Sequence, residues 1–316
     1  MAIKRKIRFN PAYWGILLFI VAQMVTFCII SRMDEFLQTK HIYVPPQSSP
    51  ETISFWPQPL PATPTPGTEA PAPFWTSLGP ILIYFFAVVI VLSVVLFLIP
   101  MSVLRNVFRI IFAFLFAWGI FIALVFWVPI AVAVTVAIAV GLIWLLTPRV
   151  WLHNLAMIFA MVSVGAVFGR MISPWTAMIL LLALAVYDLF AVRFGYMLWL
   201  SKKLSESNTL PAFFLPQFLS DWKARLEENT VANLVKVKPA ERDFSILGGG
   251  DIAFPLLLVS SVYFAYGFTN AILVAALSLI GLIGAYWIQA VFIKGKPMPA
   301  LPPIAALTLI GLLIAR

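Results

Sequence analysis

Two acidic residues, Asp188 and Asp251, lie inside long apolar stretches, whereas the other Asp and Glu residues lie in polar segments. A carboxylate at membrane depth costs several kcal/mol, so such residues are functional candidates by default. Asp188 precedes Arg193 by five residues, and Asp251 follows Ile246 by five. At about 1.5 Å of helical rise per residue, each carboxylate lies roughly 8 Å from its helix end. Two helices that run in opposite directions would bring both acids to one level of the membrane.

The chemistry open to such a pair is proton transfer. Two carboxylates that face each other in a low-dielectric medium cannot both ionise easily, and the pair then shares one proton. The ionised carboxylate can take a proton from water while its protonated partner donates to a peptide carbonyl, as in aspartic proteases. Because lipid holds no such water, the pair predicts a hydrated cavity between helices.

Three glycines, Gly248, Gly249 and Gly250, stand directly before Asp251. Glycine gives the backbone freedom and allows another chain to approach closely. This pattern indicates a close backbone approach next to the second acid.

A proline-rich stretch, KGKPMPALPP at residues 294–303, precedes the last apolar segment. Its prolines prevent a regular helix, so we expect Pro299, Ala300 and Leu301 to form a rigid, irregular turn. Irregular backbone at membrane depth is tolerated only where protein covers it or where it lines a cavity. Its unpaired backbone groups could pair with an extended substrate.

Composition indicates which elements must position these residues. Of the 316 residues, 62% are apolar and 10% are charged, whereas soluble domains have roughly 45–50% and about 25%. Nine apolar runs approach the length of about 17–25 residues that a membrane helix needs, and none shows the period-two alternation of a barrel strand. The sequence therefore predicts an all-α multi-pass protein of the cell membrane with nine transmembrane helices. They lie at 13–30, 78–99, 107–128, 130–146, 152–168, from about 175 to beyond 190, and at 246–268, 271–292 and 300–315.

The basic residues set the predicted orientation. With the N-terminus in the cytoplasm and the C-terminus outside, 17 of the 21 Lys and Arg residues fall on inner segments, as the positive-inside rule requires. This topology accounts for the net charge of +9, so no nucleic-acid partner is needed. We expect the first apolar run to be retained as a helix, because no small-residue cleavage pattern follows it.

The chain divides into three predicted parts. Residues 1–200 hold the first six helices and a proline-rich outer loop at 31–77. Residues 201–245 form a cytoplasmic loop, in which the mixed aromatic and charged stretch 213–226 predicts a helix on the membrane surface. Residues 246–316 hold the last three helices with the glycine and proline motifs.

Three short motifs resemble those of a known protease family. Tyr187-Asp188, GGGD at 248–251 and Pro299-Ala300-Leu301 are similar to the YD, GxGD and PAL motifs of presenilins and signal peptide peptidases. They occur in the family's order and on the expected helices, and the resemblance covers the whole membrane-embedded chain. The sequence looks most like a single-chain, archaeal-type presenilin homologue.

The resemblance implies an intramembrane aspartyl protease that cuts transmembrane helices of other membrane proteins. By it, Asp188 and Asp251 would be the catalytic pair, with Tyr187 beside them and the three glycines shaping the site. Pro299, Ala300 and Leu301 would position the substrate backbone. The orientation matches presenilin, so substrates are expected to have their N-termini outside. Two departures are the small Gly249, where presenilins carry a bulkier apolar residue, and a loop at 201–245 too short to favour self-cleavage.

Other classes of protein fit the sequence less well. A zinc protease needs paired histidines on one helix, but His41 and His153 lie in different segments and Cys28 is the single cysteine, so we expect neither metal nor cofactor. Paired membrane carboxylates also serve proton- or cation-coupled transporters and channels, which remain the alternative function. A scaffold for membrane helices is a third class, and it would tolerate Asp251→Asn. The expected partners are substrate helices and the lipid bilayer, and the chain could act alone or as an oligomer.

Overall fold

The computed structural model describes residues 10–39, 74–99, 101–196, 210–226, 244–293 and 298–315. These residues form nine α-helices and one pair of strands, with a 3-10 turn at Leu219–Lys223 and a π-helical turn at Gln289–Ile293. The helices are α1 (Pro11–Thr39), α2 (Phe74–Leu98), α3 (Met101–Leu124), α4 (Ile130–Leu146), α5 (Val150–Met171), α6 (Pro174–Arg193), α7 (Gly249–Tyr266), α8 (Phe268–Ile288) and α9 (Leu301–Ile314).

Six of the described helical segments are long and apolar enough to cross a membrane: α1, Arg105–Leu124 of α3, α5, α6, α7 and Phe268–Phe292. The shorter apolar segments are Phe86–Val95, α4 and α9. The protein is therefore a mostly helical, multi-pass integral membrane protein, and each predicted run falls mainly on one helix of the described residues. Helix α1 continues to Thr39, past the predicted end of the first run. The proline-rich residues 40–73 lie outside the described ranges.

Small residues make the closest helix contacts. A Cβ atom on Gly169 of α5 would lie 2.8 Å from the Leu257 carbonyl oxygen of α7, and one on Gly119 of α3 would lie 2.5 Å from the Ala160 Cα of α5. Membrane helices pack in this way because lipid supplies no hydrophobic drive between them, whereas close backbones gain dispersion contacts. Helix α5 lies between α3 and α7, and it is the most buried of the six membrane-crossing segments.

A two-stranded sheet precedes α7. Strand β1 (Ala212–Pro216) pairs antiparallel with β2 (Phe244–Gly248), with Ala212 opposite Gly248. The surface helix predicted at 213–226 is therefore wrong, because those residues form β1 and then the 3-10 turn. Pro211 and Pro216 explain the difference, since proline lacks an N–H and drives the preceding residue towards an extended conformation. All five residues of β1 are buried inside the protein.

The seventh helix begins at Gly249, later than the predicted start at residue 246. Ile246 and Leu247 belong to β2, because a short apolar run fits a strand and a helix equally well by its pattern. Asp251 therefore lies in the first turn of α7 rather than five residues inside a helix.

Candidate active site

Asp251 is held by the backbone that begins its own helix. Gly248 is the N-cap residue of α7, so Asp251 is the third helical residue. The Gly248 N–H donates a hydrogen bond to the Asp251 carboxylate, which is the same contact that a capping box makes from its third residue. A Cβ on Gly248 would lie 3.1 Å from Asp251 Oδ2. Glycine at 248 therefore lets the carboxylate fold back closely over the helix start.

The second glycine fixes where α7 begins. The Gly249 N–H donates to the Pro211 carbonyl oxygen at 2.9 Å. A Cβ on Gly249 would lie 2.9 Å from that oxygen and 2.6 Å from Met157 Cε of α5. The helix start is thus enclosed between the residue before β1 and α5. At Gly250 a Cβ would meet the Phe254 ring at 3.2 Å, so all three glycines have close neighbours.

Asp188 is anchored by a different helix. It lies on α6 and is 5% exposed, and its Oδ2 accepts a hydrogen bond from the Leu301 N–H at 3.4 Å. The Ala300 N–H interacts with the same carboxylate. Ala300 is the N-cap and Leu301 the first residue of α9. Pro302 and Pro303 follow and have no N–H. The free donors at this helix end are therefore the N–H groups of Ala300 and Leu301, which face Asp188.

The two acids form one site. The Asp251 carboxylate interacts electrostatically with that of Asp188, and α6 packs against α7 through Leu181 and Leu184 with Leu257 and Leu258. Each carboxylate also lies at a helix N-terminus, where the helix dipole presents partial positive charge. The site therefore combines two close acids with two sets of backbone donors.

Two tyrosines, Tyr187 and Tyr286, lie near the pair. Tyr187 is half-buried beside Asp188, and its ring packs edge-on against Tyr196 with centroids 6.4 Å apart. The Tyr196 hydroxyl lies 2.5 Å from Ser93 Oγ, which joins the end of α6 to α2. On α8, the buried Tyr286 hydroxyl interacts electrostatically with Asp251 and has no hydrogen-bond partner among the described residues. The sequence carried no signal for Tyr286, because its proximity to Asp251 arises only from folding.

The fold brings most of the predicted site residues together. Asp188, Asp251, Gly248, Ala300 and Leu301 come together through the contacts above, with Tyr187 next to Asp188 and Pro299 directly before Ala300. His153 lies near the start of α5 and is buried inside the protein, with 1% of its surface exposed. Among the described residues, no three His, Cys, Asp or Glu side chains gather where they could hold a metal ion.

Comparisons with known proteins point in one direction. The family model described as "Signal-peptide peptidase, presenilin aspartyl protease" matches residues 74–316. A solved presenilin family intramembrane aspartate protease in space group C222 is similar, with a TM-score of 0.58 and 17% identity over 97% of this chain and 98% of that one. A second structure, in space group P2, has a TM-score of 0.57 and 18% identity over 95% of both chains. No curated protein matches the chain.

Proposed function

The chain belongs to the signal-peptide-peptidase and presenilin family of aspartyl proteases, and from this premise we propose that it hydrolyses peptide bonds within transmembrane helices of other membrane proteins, with Asp188 and Asp251 as its catalytic pair. Family membership makes it an intramembrane aspartic protease, a hydrolase. The observation that supports the two residues is that Asp188 and Asp251 interact electrostatically where α6 packs against α7. No observation favours the transporter or channel alternative.

In the proposed reaction one carboxylate is ionised and the other is protonated. The ionised carboxylate takes a proton from water, whose oxygen attacks the peptide carbonyl carbon, while the protonated carboxyl donates its proton to the carbonyl oxygen. The tetrahedral intermediate then returns that proton to the second carboxylate as the C–N bond breaks. The leaving nitrogen takes the proton that the first carboxylate had removed from water. The products are a new carboxyl group and a new amine, and the pair returns to its starting state.

The helix ends support this charge state. A buried carboxylate needs hydrogen bonds to offset the loss of water. The backbone of Gly248 supplies such a bond to Asp251, and that of Leu301 supplies one to Asp188. One shared negative charge is therefore stabilised, whereas two negative charges in one buried site would repel each other.

We assign the turn at Pro299, Ala300 and Leu301 to substrate positioning. The Leu301 N–H contacts Asp188, so a substrate backbone held along this turn would lie next to a carboxylate. Because Pro299 cannot donate, its neighbouring carbonyl groups are the ones left to pair with an extended peptide.

The proposed topology has nine membrane spans, with the N-terminus in the cytoplasm and the C-terminus outside. Helices α2, α4 and α9 would cross the membrane in addition to the six long segments. The distribution of Lys and Arg supports this orientation. Substrates would enter with their N-termini outside.

Mass spectrometry of a single-span substrate tests the proposal. The purified protein, Asp188→Ala and Asp251→Ala are incubated with the substrate in detergent, and Asp221→Ala serves as a control acid outside the membrane helices. We expect cleavage within the span by the wild type and by Asp221→Ala alone. Cleavage by either catalytic variant at a comparable rate would overturn the assignment.

A further inference from the structure

Two neighbouring polar residues of α5 bind the backbone of β1. Asn154 Nδ2 donates to the Phe214 carbonyl oxygen at 2.7 Å, and the Phe214 N–H donates back to Asn154 Oδ1 at 3.0 Å. His153 Nε2 donates to the Ala212 carbonyl oxygen at 3.0 Å. Both side chains are 1% exposed. Three buried hydrogen bonds therefore fix β1 to α5.

The Asn154 amide takes the place of a third strand. In an antiparallel ladder the N–H and C=O of one residue point to the same side. The backbone N–H and C=O of Phe214 both bond to Asn154, so they point away from β2. The backbone groups of the neighbouring Phe213 and Leu215 therefore point towards β2. The side-chain amide thus pairs with the outer edge of β1 as a backbone amide would. The register of the strand against α5 is set by this pairing.

Backbone contacts connect β1 to the end of α7 that carries Asp251. Ala212 lies opposite Gly248 in the sheet, and the preceding Pro211 accepts the hydrogen bond from Gly249. Gly248 in turn donates to Asp251. Met157, one turn after Asn154 on α5, is the side chain that a Cβ on Gly249 would strike. One face of α5 therefore fixes both β1 and the start of α7.

We propose that Asn154, assisted by His153, is a positioning residue that sets the place of Asp251 relative to Asp188. The inference rests on the proposed function, since it assumes that these two acids perform the hydrolysis. Neither residue touches the acids, so both act through β1 and β2. A displacement of about 1 Å at a reacting group can cost roughly a hundredfold in rate, and loss of the pairing to Phe214 frees the strand to move on that scale.

The first test replaces Asn154 by Leu, which keeps the branched shape and the number of side-chain heavy atoms and removes both hydrogen bonds. Ser163→Ala is the matched control, because Ser163 is also buried on α5 and donates to the Gly119 carbonyl oxygen at 2.7 Å without touching β1. The readouts are kcat, KM, thermal stability, and affinity for a peptide mimic that carries a hydroxyl in place of the scissile carbonyl. We expect Asn154→Leu to lower kcat at least tenfold with KM within twofold, and to weaken binding of the mimic equally.

A second pair of variants keeps the inference testable where Asn154→Leu does not fold. His153 lies among the rings of Phe116, Trp144 and Phe214, so His153→Phe keeps the packing and removes the donor to Ala212. His153→Gln places an amide donor near the position of Nε2. We expect His153→Phe to lower kcat and His153→Gln to restore at least part of it.

The controls separate failure of this inference from failure of the proposed function. Cleavage by Asp251→Ala, measured in the same series, would overturn the proposed function. Wild-type kcat in Asn154→Leu or in His153→Phe would overturn the positioning role alone. An equal loss of kcat in Ser163→Ala would also overturn it, because the effect would then follow from lost stability of α5.

Discussion

Gly249→Ala tests whether the start of α7 is placed to sub-ångström tolerance. The added Cβ would lie 2.6 Å from Met157 Cε and 2.9 Å from the Pro211 carbonyl oxygen. The methionine end is flexible and can swing aside, but the carbonyl belongs to the backbone. The distance from the new Cβ to the Pro211 carbonyl oxygen must increase from 2.9 Å to the 3.4 Å of an ordinary contact, which is a shift of about 0.5 Å. Because the same carbonyl accepts the Gly249 N–H, the shift also weakens this hydrogen bond.

The expected magnitude follows from this displacement. Asp251 is two residues away in the same rigid turn, so we expect it to move by a similar amount. If a 1 Å misplacement costs roughly a hundredfold, a shift of about 0.5 Å costs about tenfold in kcat. Overpacking typically costs about 1–3 kcal/mol, partly offset by the gain of about 0.5–1 kcal/mol when alanine replaces glycine in a helix. The variant should therefore fold and work poorly.

The assay compares kcat for cleavage of a single-span substrate in wild type, Gly249→Ala and Gly284→Ala, with thermal stability measured on each. Gly284 on α8 is the control, because a Cβ there meets nothing within 4 Å. We expect Gly284→Ala to keep wild-type kcat and equal or higher stability. Wild-type kcat in Gly249→Ala would refute the reasoning, and an equal loss in Gly284→Ala would show that helix rigidity, rather than local fit, controls the rate.

Four further predictions concern the site and its supports. Activity should fall as the pH rises, because the pair then loses the proton that one carboxyl must donate, and a flat profile into strongly alkaline pH would count against a shared proton. Leu301→Gly or Leu301→Lys should slow cleavage more than it lowers the melting temperature, and unchanged turnover would limit the turn to a structural role. Gly169→Val should lower the melting temperature by overpacking α5 against α7, which thermal unfolding would reveal. Tyr286→Phe should leave thermal stability equal or raised, because it removes a buried hydroxyl that no described residue satisfies, and a clear loss would indicate a hidden partner.

The acids and their motifs could be predicted because their signals are local. Asp188 and Asp251 stand out because a carboxylate in an apolar run is costly. The spacing of Gly248 and Asp251, and the prolines around Leu301, are also short-range features. The membrane helices follow from composition, since each needs only an apolar run of sufficient length.

The supports of the site escaped prediction for physical reasons. Asn154 bonds to Phe214, sixty residues away in sequence, and nothing in the polar residue itself specifies that partner. The pattern around Ile246 predicts a helix and a strand equally well, because the apolar run before Gly248 is short. The mixture of aromatic and charged residues at 213–226 predicts a surface helix, whereas Pro211 and Pro216 favour the extended conformation of β1.

In both the glycine and the proline motif, backbone N–H groups at a helix N-terminus donate to a carboxylate, but the carboxylate is held in a different way. Asp251 accepts from the N-cap of its own helix, so the spacing from Gly248 to Asp251 is the spacing between an N-cap and the third helical residue. Asp188 accepts from the first residue of α9, which lies across the interface from α6. The position of Asp251 relative to α7 is thus set locally, but the position of Asp188 relative to its donors depends on how α9 packs against α6. Because Leu301 and Ala305 of α9 share a buried cluster with Leu184, changes in that interface should alter the environment of Asp188 and leave the start of α7 intact.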